Sequence, residues 1–262
     1  MSSKKVLVNQ NLPARYRPKS LKEMIGNVEV KQTLQGCLKE SAVPNSLLII
    51  GPPGTGKTTL AEILARTLTC QNLKKDFSPC GECRSCKLST YDNPSILDVN
   101  CAVTGGLRYI KKVILISGLS SVWFKYRIII LDEIQSARKE ALSALLKPLE
   151  EPSPQTVWIL CTSDAEKIPE TITRRCMKLY MRYPKAKTLS RWLKAIALKE
   201  FGNRRAKLLS PHYLRIAELA KCHPSDALEE LGKIARALAG APNALEDEAV
   251  AKKIIAKFLG DS

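Results

Sequence analysis

The sequence contains no long apolar run: none approaches the roughly 20 consecutive apolar residues that a membrane-spanning helix needs. The N-terminal stretch MSSKKVLVNQ lacks the apolar segment of a signal peptide, so nothing in it directs export. Internal repeats and long low-complexity tracts are missing as well. We therefore expect a cytoplasmic protein without membrane contact, and 45% hydrophobic residues are enough for a globular core.

Acidic residues are scarce, since 25 Asp and Glu stand against 42 Lys and Arg and give a formal net charge of +17. Residues 1–22 contain six basic and no acidic residues, and residues 185–207 contain eight basic residues against Glu200 alone. Such an excess attracts polyanions such as nucleic acid, with solvated surface charge as the alternative explanation. Charge alone does not distinguish DNA from RNA.

Short apolar runs alternate with helical patterns up to about residue 185. The runs that predict buried strands are Ser46–Ile50, Ile96–Val99, Ile128–Leu131 and Val157–Leu160. The helical patterns cover residues 28–40, 58–68, 107–120, 139–149, 188–200, 210–221, 225–239 and 246–259. Buried strands that alternate with helices indicate a parallel sheet covered on both faces.

This distribution predicts an α/β protein in three parts. Residues 1–22 form a basic arm, extended over residues 1–20 because prolines punctuate a polar segment. Residues 23–183 form the α/β domain, and residues 184–262 form a small helical domain.

The segment Gly51–Thr58 reads GPPGTGKT and lies between a predicted strand and a predicted helix, as a P-loop does. Glycines let the backbone N–H groups turn towards phosphate oxygens, and the helix presents its positive end to the same anion. Lys57 is expected to reach the β- and γ-phosphates of ATP, and the Thr58 hydroxyl to bind Mg²⁺. The residues predicted to bind the nucleotide are Gly51, Pro52, Pro53, Gly54, Thr55, Gly56, Lys57, Thr58 and Thr59.

Asp132 and Glu133 directly follow the strand Ile128–Leu131. Ligands of parallel sheets bind at the carboxyl ends of the strands, so we expect these carboxylates beside the P-loop rather than as a surface acidic pair. Asp132 is predicted to hold Mg²⁺ and Glu133 to polarise the attacking water. Thr162, at the end of the next strand, is predicted to orient that water, with Ser163 as the alternative.

Four cysteines gather in an insertion over about residues 70–90. Cys80, Cys83 and Cys86 form a double CxxC motif, and Cys70 lies ten residues before it. Four thiolates close a tetrahedral Zn²⁺ site without an open position, whereas disulfides suit a reducing cytosol poorly. We predict a structural zinc site.

These motifs together resemble the bacterial gamma/tau subunit of the DNA polymerase clamp loader, a member of the AAA+ ATPases. The resemblance runs from about Leu12 to Leu231 and rests on the cysteine insertion, on LLKPLEEP at Leu145–Pro152 and on TRRC at Thr173–Cys176. It implies an AAA+ domain followed by a helical lid. It also implies an ATPase that loads a sliding clamp on primer-template DNA, in a ring with other clamp-loader subunits or with copies of itself, and that makes no DNA.

The resemblance further implies roles for single residues. Arg15 and Tyr16 are expected near the adenine, and Arg175 as an arginine finger that acts on ATP bound by the adjacent subunit. Without the resemblance, Arg175 is an ordinary surface basic residue. The residues expected at the DNA phosphates, unless they form a solvated basic surface, are Arg108, Lys111, Lys112, Arg138 and Lys139.

Two departures from the family pattern keep other functions open. Ser225 stands where the family's lid helix carries a nucleotide-sensing arginine, and the family's collar domain is absent from the 262 residues. The first alternative is another AAA+ remodeller of DNA replication, such as a helicase loader or a phage or mobile-element factor. The second is a nucleotide-dependent scaffold with little turnover.

Overall fold

The computed structural model describes residues 11–119, 124–241 and 248–260. The five strands are β1 (Ser46–Ile50), β2 (Ile96–Asn100), β3 (Arg127–Asp132), β4 (Thr156–Thr162) and β5 (Met177–Tyr180). The α-helices are α1 (Leu12–Arg15), α2 (Val28–Lys39), α3 (Lys57–Thr69), α4 (Arg84–Lys87), α5 (Cys101–Thr104), α6 (Leu107–Ser117), α7 (Lys139–Ala144), α8 (Leu146–Glu150), α9 (Glu170–Thr173), α10 (Ala186–Leu208), α11 (Tyr213–Leu219), α12 (Pro224–Gly240) and α13 (Glu248–Leu259). Short 3-10 helices cover Ile134–Ser136, Ala165–Lys167 and Ser210–His212.

The chain divides into two compact units. One comprises residues 18–182, and the other comprises residues 1–17 together with residues 183–262. All five strands lie in the first unit, and α10 to α13 lie in the second. Residues 1–10 of the predicted arm lie outside the described part of the chain.

The sheet of the α/β unit has the order β2-β3-β4-β1-β5, and every pairing is parallel. Alternate strand residues enter two apolar cores, one on each face, which explains why the central strands read as continuous apolar runs. Ile50 pairs with Thr162 and Leu131 with Leu160, so the carboxyl ends of β1, β3 and β4 meet at one edge. The predicted α/β class with a parallel sheet is confirmed.

Two elements of this unit differ from the sequence prediction. The prediction missed β5, because only Leu179 of this short edge strand is buried and no apolar run marks it. The single helix predicted over residues 139–149 is wrong, since α7 ends before Leu145 and α8 begins after it. Pro148 lacks an N–H group and its ring disfavours a continuous helix through the preceding turn.

The extended arm is wrong at Leu12–Arg15, which forms the short helix α1. The Asn11 side chain caps this helix by accepting a hydrogen bond from its backbone. Leu12 is buried against Gly232 of α12, where a Cβ atom would lie 3.3 Å from the Leu12 side chain. The buried leucine thus packs the segment on the helical unit.

The helical unit is built around the long helix α10, which kinks at Gly202, where φ is 77°. Leu189, Leu193 and Ile196 recur at helical spacing and form its buried stripe. None of the helices in the described ranges has the length and apolar character needed to cross a membrane.

Candidate functional site

The P-loop runs from the end of β1 into the first turn of α3. Gly54 and Gly56 adopt left-handed backbone conformations with φ of 76° and 93°, which glycine tolerates without strain. Gly56 is also the N-cap of α3, and no side chain caps that end. The first N–H groups of α3 are therefore available to an anion such as a phosphate.

Lys57 begins α3 and is buried, with 5% of its surface exposed. Its ammonium donates a hydrogen bond to the Pro52 carbonyl oxygen at 3.2 Å, so the side chain folds back over the loop. The Gly51 N–H donates to the Thr162 carbonyl at 3.2 Å and ties the start of the loop to the end of β4. The structure thus brings together the predicted lysine, the loop and the carboxyl edge of the sheet.

Asp132 ends β3 directly beside this loop. The Thr58 hydroxyl donates to Asp132 Oδ2 at 2.6 Å, and the Glu133 N–H donates to Asp132 Oδ1 at 3.0 Å. Hydroxyl and carboxylate oxygens are the ligands that Mg²⁺ prefers. Thr58 and Asp132, predicted as magnesium ligands, are therefore neighbours in the fold.

Glu133 follows in a left-handed conformation with φ of 51°. This conformation costs a residue other than glycine about 1–2 kcal/mol and persists only when its surroundings hold it. The carboxylate accepts hydrogen bonds from the Gln135 amide and, at 3.1 Å, from the Ser163 hydroxyl. The side-chain contacts thus help to hold the strained residue.

Thr162 is fully buried, and among the described residues no hydrogen bond joins its hydroxyl to Glu133. Its hydroxyl donates to Gln135 Oε1 at 2.8 Å and accepts the Asp164 N–H at 3.1 Å. Of the two predicted alternatives, Ser163 contacts the Glu133 carboxylate, and Thr162 reaches it through Gln135. The sequence analysis missed Gln135, for which a polar side chain two residues after Glu133 was the available signal.

Two thiols lie close to Asp132. Burial, with a smaller contribution from the Asp132 charge, raises the pKa of Cys101 to about 12. Burial likewise raises the pKa of Cys161 well above its ordinary value. Both remain neutral at physiological pH, so neither thiol adds negative charge to the carboxylates at the edge of the sheet.

Arg175 follows α9 and faces an acidic partner in the same chain. It forms an ion pair of 3.0 Å with Glu150 and donates to the Thr171 carbonyl. Its Nε is buried and has no hydrogen-bond partner among the described residues. The neighbouring Arg174 is more exposed and pairs with Glu170 at 2.7 Å.

Arg15 and Tyr16, predicted near the adenine, lie in the helical unit and share one acidic partner. Arg15 forms an ion pair of 2.6 Å with Glu200 of α10, and the Tyr16 hydroxyl donates to the same carboxylate. Burial, followed by the bond to Glu200, raises the pKa of Tyr16 to about 12. Both side chains are therefore engaged in the unit that contains them.

The four cysteines of the insertion gather as predicted, with all their sulfur atoms within 4.8 Å of one another. The Sγ atoms of Cys80 and Cys86 are 3.8 Å apart, and those of Cys70 and Cys83 are 4.0 Å apart. A tetrahedral zinc ion bound at about 2.3 Å places its sulfur ligands about 3.8 Å apart. The cluster therefore fits zinc and is too open for disulfides, whose sulfurs lie about 2 Å apart.

Backbone N–H groups favour the charged form of one of these thiols. The N–H groups of Cys83 and Glu82 donate to the Cys80 sulfur and lower its pKa to about 6. Burial raises the pKa of Cys86 to about 12. A bound cation would favour all four thiolates, since a thiol loses its proton when it coordinates a metal.

Buried hydrogen bonds fasten this cluster to the P-loop helix. Cys70 directly follows α3, and the Ser85 hydroxyl donates to Thr69, the last residue of α3, at 2.8 Å. Asn93, just after the insertion, donates to Ser85 at 2.9 Å and joins the same network. The cluster and the P-loop therefore lie at opposite ends of one helix.

The basic residues predicted at DNA lie in the first two turns of α6 and at the start of α7. Gly105 fits closely before α6, since a Cβ atom there would lie 2.3 Å from the Cys101 carbonyl oxygen. The Arg138 N–H donates to the Gly105 carbonyl at 3.2 Å and joins the start of α7 to the start of α6. The basic residues of this region are Arg108, Lys111 and Lys112 in α6, Arg138 at the N-cap of α7, and Lys139.

Comparisons with known proteins agree on one group. Residues 26–185 match the family model described as DNA polymerase III, delta subunit. The chain is 29% identical over 84% of its length to the DNA polymerase III subunit gamma/tau of Mycoplasma genitalium, covering 36% of that protein. It is 33% identical over 62% of its length to the DNA polymerase III subunit tau of Bacillus subtilis, covering 29% of that protein. The chain thus spans about a third of the length of these relatives.

Among solved structures, the chain is similar to the RuvB Holliday junction branch migration motor of Thermotoga maritima. The TM-score is 0.64 at 19% sequence identity, with 94% of this chain and 72% of that one covered. A likeness at this identity concerns the fold, and with the parallel sheet it confirms the predicted AAA+ fold class.

Proposed function

Because this chain belongs to the family described as DNA polymerase III, delta subunit, we propose that it is an ATP-hydrolysing clamp-loader subunit. The predicted resemblance to gamma/tau-type subunits is confirmed by the family match and by the curated relatives, which supports a role in DNA replication. Loading of a sliding clamp on primer-template DNA is the finer part of the proposal.

The proposal rests chiefly on the distance between the two predicted magnesium ligands. Thr58 Oγ1 and Asp132 Oδ2 lie 2.6 Å apart where the P-loop helix meets the end of β3. In the proposed site, the P-loop backbone and Lys57 bind the phosphates of ATP, and Thr58 and Asp132 hold Mg²⁺. The bound ion would offset the negative charge that develops on the phosphates. Glu133 orients the attacking water, assisted by Thr162.

Arg175 is proposed to act on ATP bound by a neighbouring subunit. An arginine finger stabilises the charge of the transferred phosphoryl group. The ion pair with Glu150 is partly exposed, and such a pair contributes little to stability. Arg175 can therefore exchange this partner for a phosphate at small cost.

Three further assignments belong to the same proposal. Arg15 and Tyr16 contact the adenine, the four cysteines bind structural Zn²⁺, and the basic starts of α6 and α7 bind DNA phosphates. Helix N-termini with basic side chains suit phosphate contacts without base readout, so binding would depend on DNA structure and on salt.

The proposal is tested by ATP turnover of the chain assembled with its partner subunits, the sliding clamp and primed DNA. We expect clamp and primed DNA together to stimulate hydrolysis. Glu133→Gln should abolish turnover and retain ATP binding, whereas Glu140→Gln, on the exposed side of α7, should behave as the wild type.

The alternatives predict other results. If neither clamp nor DNA stimulates turnover, the clamp-loader proposal is wrong. Capture of a helicase instead of a clamp would support another replication remodeller. Tight ATP binding with little turnover would support a scaffold, the function that Ser225 in the first turn of α12 favours.

A further inference from the structure

Gln135 lies in the 3-10 helix after β3. Its side chain lies between Glu133 and Thr162, the two residues proposed to orient the attacking water. We propose that Gln135 is a positioning residue for ATP hydrolysis, which holds Glu133 and Thr162 in a fixed relation through its amide. The inference rests on the proposed ATPase function, because it gives Gln135 a part in that reaction.

The contacts of the amide reach both strands that end at the site. Gln135 Nε2 donates to Glu133 Oε2 and, at 2.8 Å, to the Ser163 hydroxyl. Gln135 Oε1 accepts the Thr162 hydroxyl at 2.8 Å. One side chain thus joins the residue after β3 to the last residue of β4.

The orientation of the amide is set by its partners. A carboxylate accepts hydrogen bonds only, so the NH₂ group must face Glu133, and the carbonyl oxygen is left to face the Thr162 hydroxyl. The reversed amide would place Oε1 against the Glu133 carboxylate. A side chain with a donor and an acceptor at this length fits both neighbours, and the Thr162 hydroxyl also lies 2.9 Å from the Asp164 carbonyl oxygen.

The arrangement leaves one oxygen of Glu133 available. Gln135 and Ser163 both donate to Oε2, and no described residue donates to Oε1. Glu133 also adopts a left-handed backbone conformation, with φ of 51°, which its side-chain contacts help to maintain. Gln135 therefore acts through Glu133, by directing Oε1, and not by touching the nucleotide.

The first test measures how substitutions of Gln135 change kcat and KM for ATP in the assembled, DNA-stimulated complex. Gln135→Met keeps the length of the side chain and removes both polar contacts, and we expect kcat to fall about tenfold to a hundredfold with KM within about twofold of the wild type. Gln135→Glu should lower kcat further, because it sets a second carboxylate against Glu133. Gln155→Glu, an exposed site just before β4, makes the same charge change and should leave kcat unaltered.

An unchanged or raised kcat in Gln135→Met would overturn the assignment, as would a loss confined to KM. A second measurement is independent of turnover. Hydrogen exchange at the Ser136 and Ala137 amides, which close the 3-10 turn, should accelerate about twofold to tenfold in Gln135→Met and not in Gln155→Glu.

Exchange that does not change contradicts a positioning role even if kcat falls. Absence of turnover in the wild-type complex would instead refute the proposed function. In that case accelerated exchange would still support Gln135 as the residue that positions Glu133 and Thr162, and unchanged exchange would overturn it.

Discussion

Gly51 begins the P-loop and also lies against the backbone of Met181, just after β5. A Cβ atom at Gly51 would lie 2.5 Å from the Met181 carbonyl oxygen, which cannot move without disturbing the edge of the sheet. We expect Gly51→Ala to lower the free energy of unfolding by about 1–3 kcal/mol, the usual cost of overpacking. Denaturant unfolding measures the change.

Gly36 provides the matched control, since it lies within α2 and a Cβ atom there meets nothing within 4 Å. Gly36→Ala should raise the free energy of unfolding by about 1 kcal/mol, because alanine favours the helix. Equal effects at the two glycines would contradict the packing role of Gly51.

Arg175 is tested against its neighbour Arg174. We expect Arg175→Ala to lower the DNA-stimulated turnover of the assembled complex about a thousandfold or more, the loss typical of an arginine finger. ATP affinity of the isolated chain should not change, because the finger acts on another subunit's nucleotide. Arg174→Ala, which breaks only an exposed pair with Glu170, should change turnover little. The reverse pattern would assign the finger to Arg174.

Single residues of the site were predictable to different degrees. Lys57, Thr58 and Asp132 follow from a motif whose spacing reflects phosphate and metal chemistry, and the fold brings them together. The Gln135 contacts could not be predicted, because they depend on the register of two strands that are adjacent only in the folded sheet. The pairing of Arg175 with Glu150 likewise joins residues that only the fold brings together.

At the scale of elements, the joined starts of α6 and α7 are the proposed DNA-binding surface. We expect the double variant Arg108→Ala and Lys112→Ala to weaken binding equally for all sequences. The slope of log K against log salt is negative, and it should become shallower by about 0.9 for each phosphate that is no longer neutralised. Salt titrations of binding to primed duplexes measure both effects.

The control is the double variant Lys74→Ala and Lys75→Ala, which removes the same charge from exposed positions of the cysteine insertion. An equal fall in affinity in the two double variants would mean that net charge, and not the helix starts, determines binding.

The cysteine cluster gives a prediction for the end of α3. The purified chain should contain about one zinc ion, measured by elemental analysis, and Cys86→Ser should lose it together with several kcal/mol of stability. Cys37→Ser, outside the cluster, should retain the metal. A full-length chain that folds equally well after zinc is removed would contradict the structural role.

The apolar runs of the sequence predicted the central strands because nearly every residue of these strands is buried. β1 was predicted with its observed bounds, and the central strands β3 and β4 extend only slightly beyond their predicted runs. The prediction failed where burial depends on contacts between residues distant in the sequence: β5 has one buried residue, and Leu12 of α1 is buried by packing on α12. A local sequence pattern does not contain these contacts.

At the scale of the molecule, the chain combines an AAA+ unit and a helical unit within about a third of the length of its relatives. The proposed active site needs a residue from a second subunit, since the role proposed for Arg175 is to act on a neighbour's ATP. Assembly is therefore part of the proposed mechanism, in which the site is complete only in an oligomer.

The most direct test of this account is the mass of the complex formed by the full chain and its partner subunits with ATP, measured with and without primed DNA. We expect a closed assembly that forms with ATP, persists on primed DNA when Glu133→Gln blocks hydrolysis, and fails to form in a Lys57→Ala chain. A chain that remains monomeric under every one of these conditions would leave Arg175 without a phosphate to stabilise and would contradict the account.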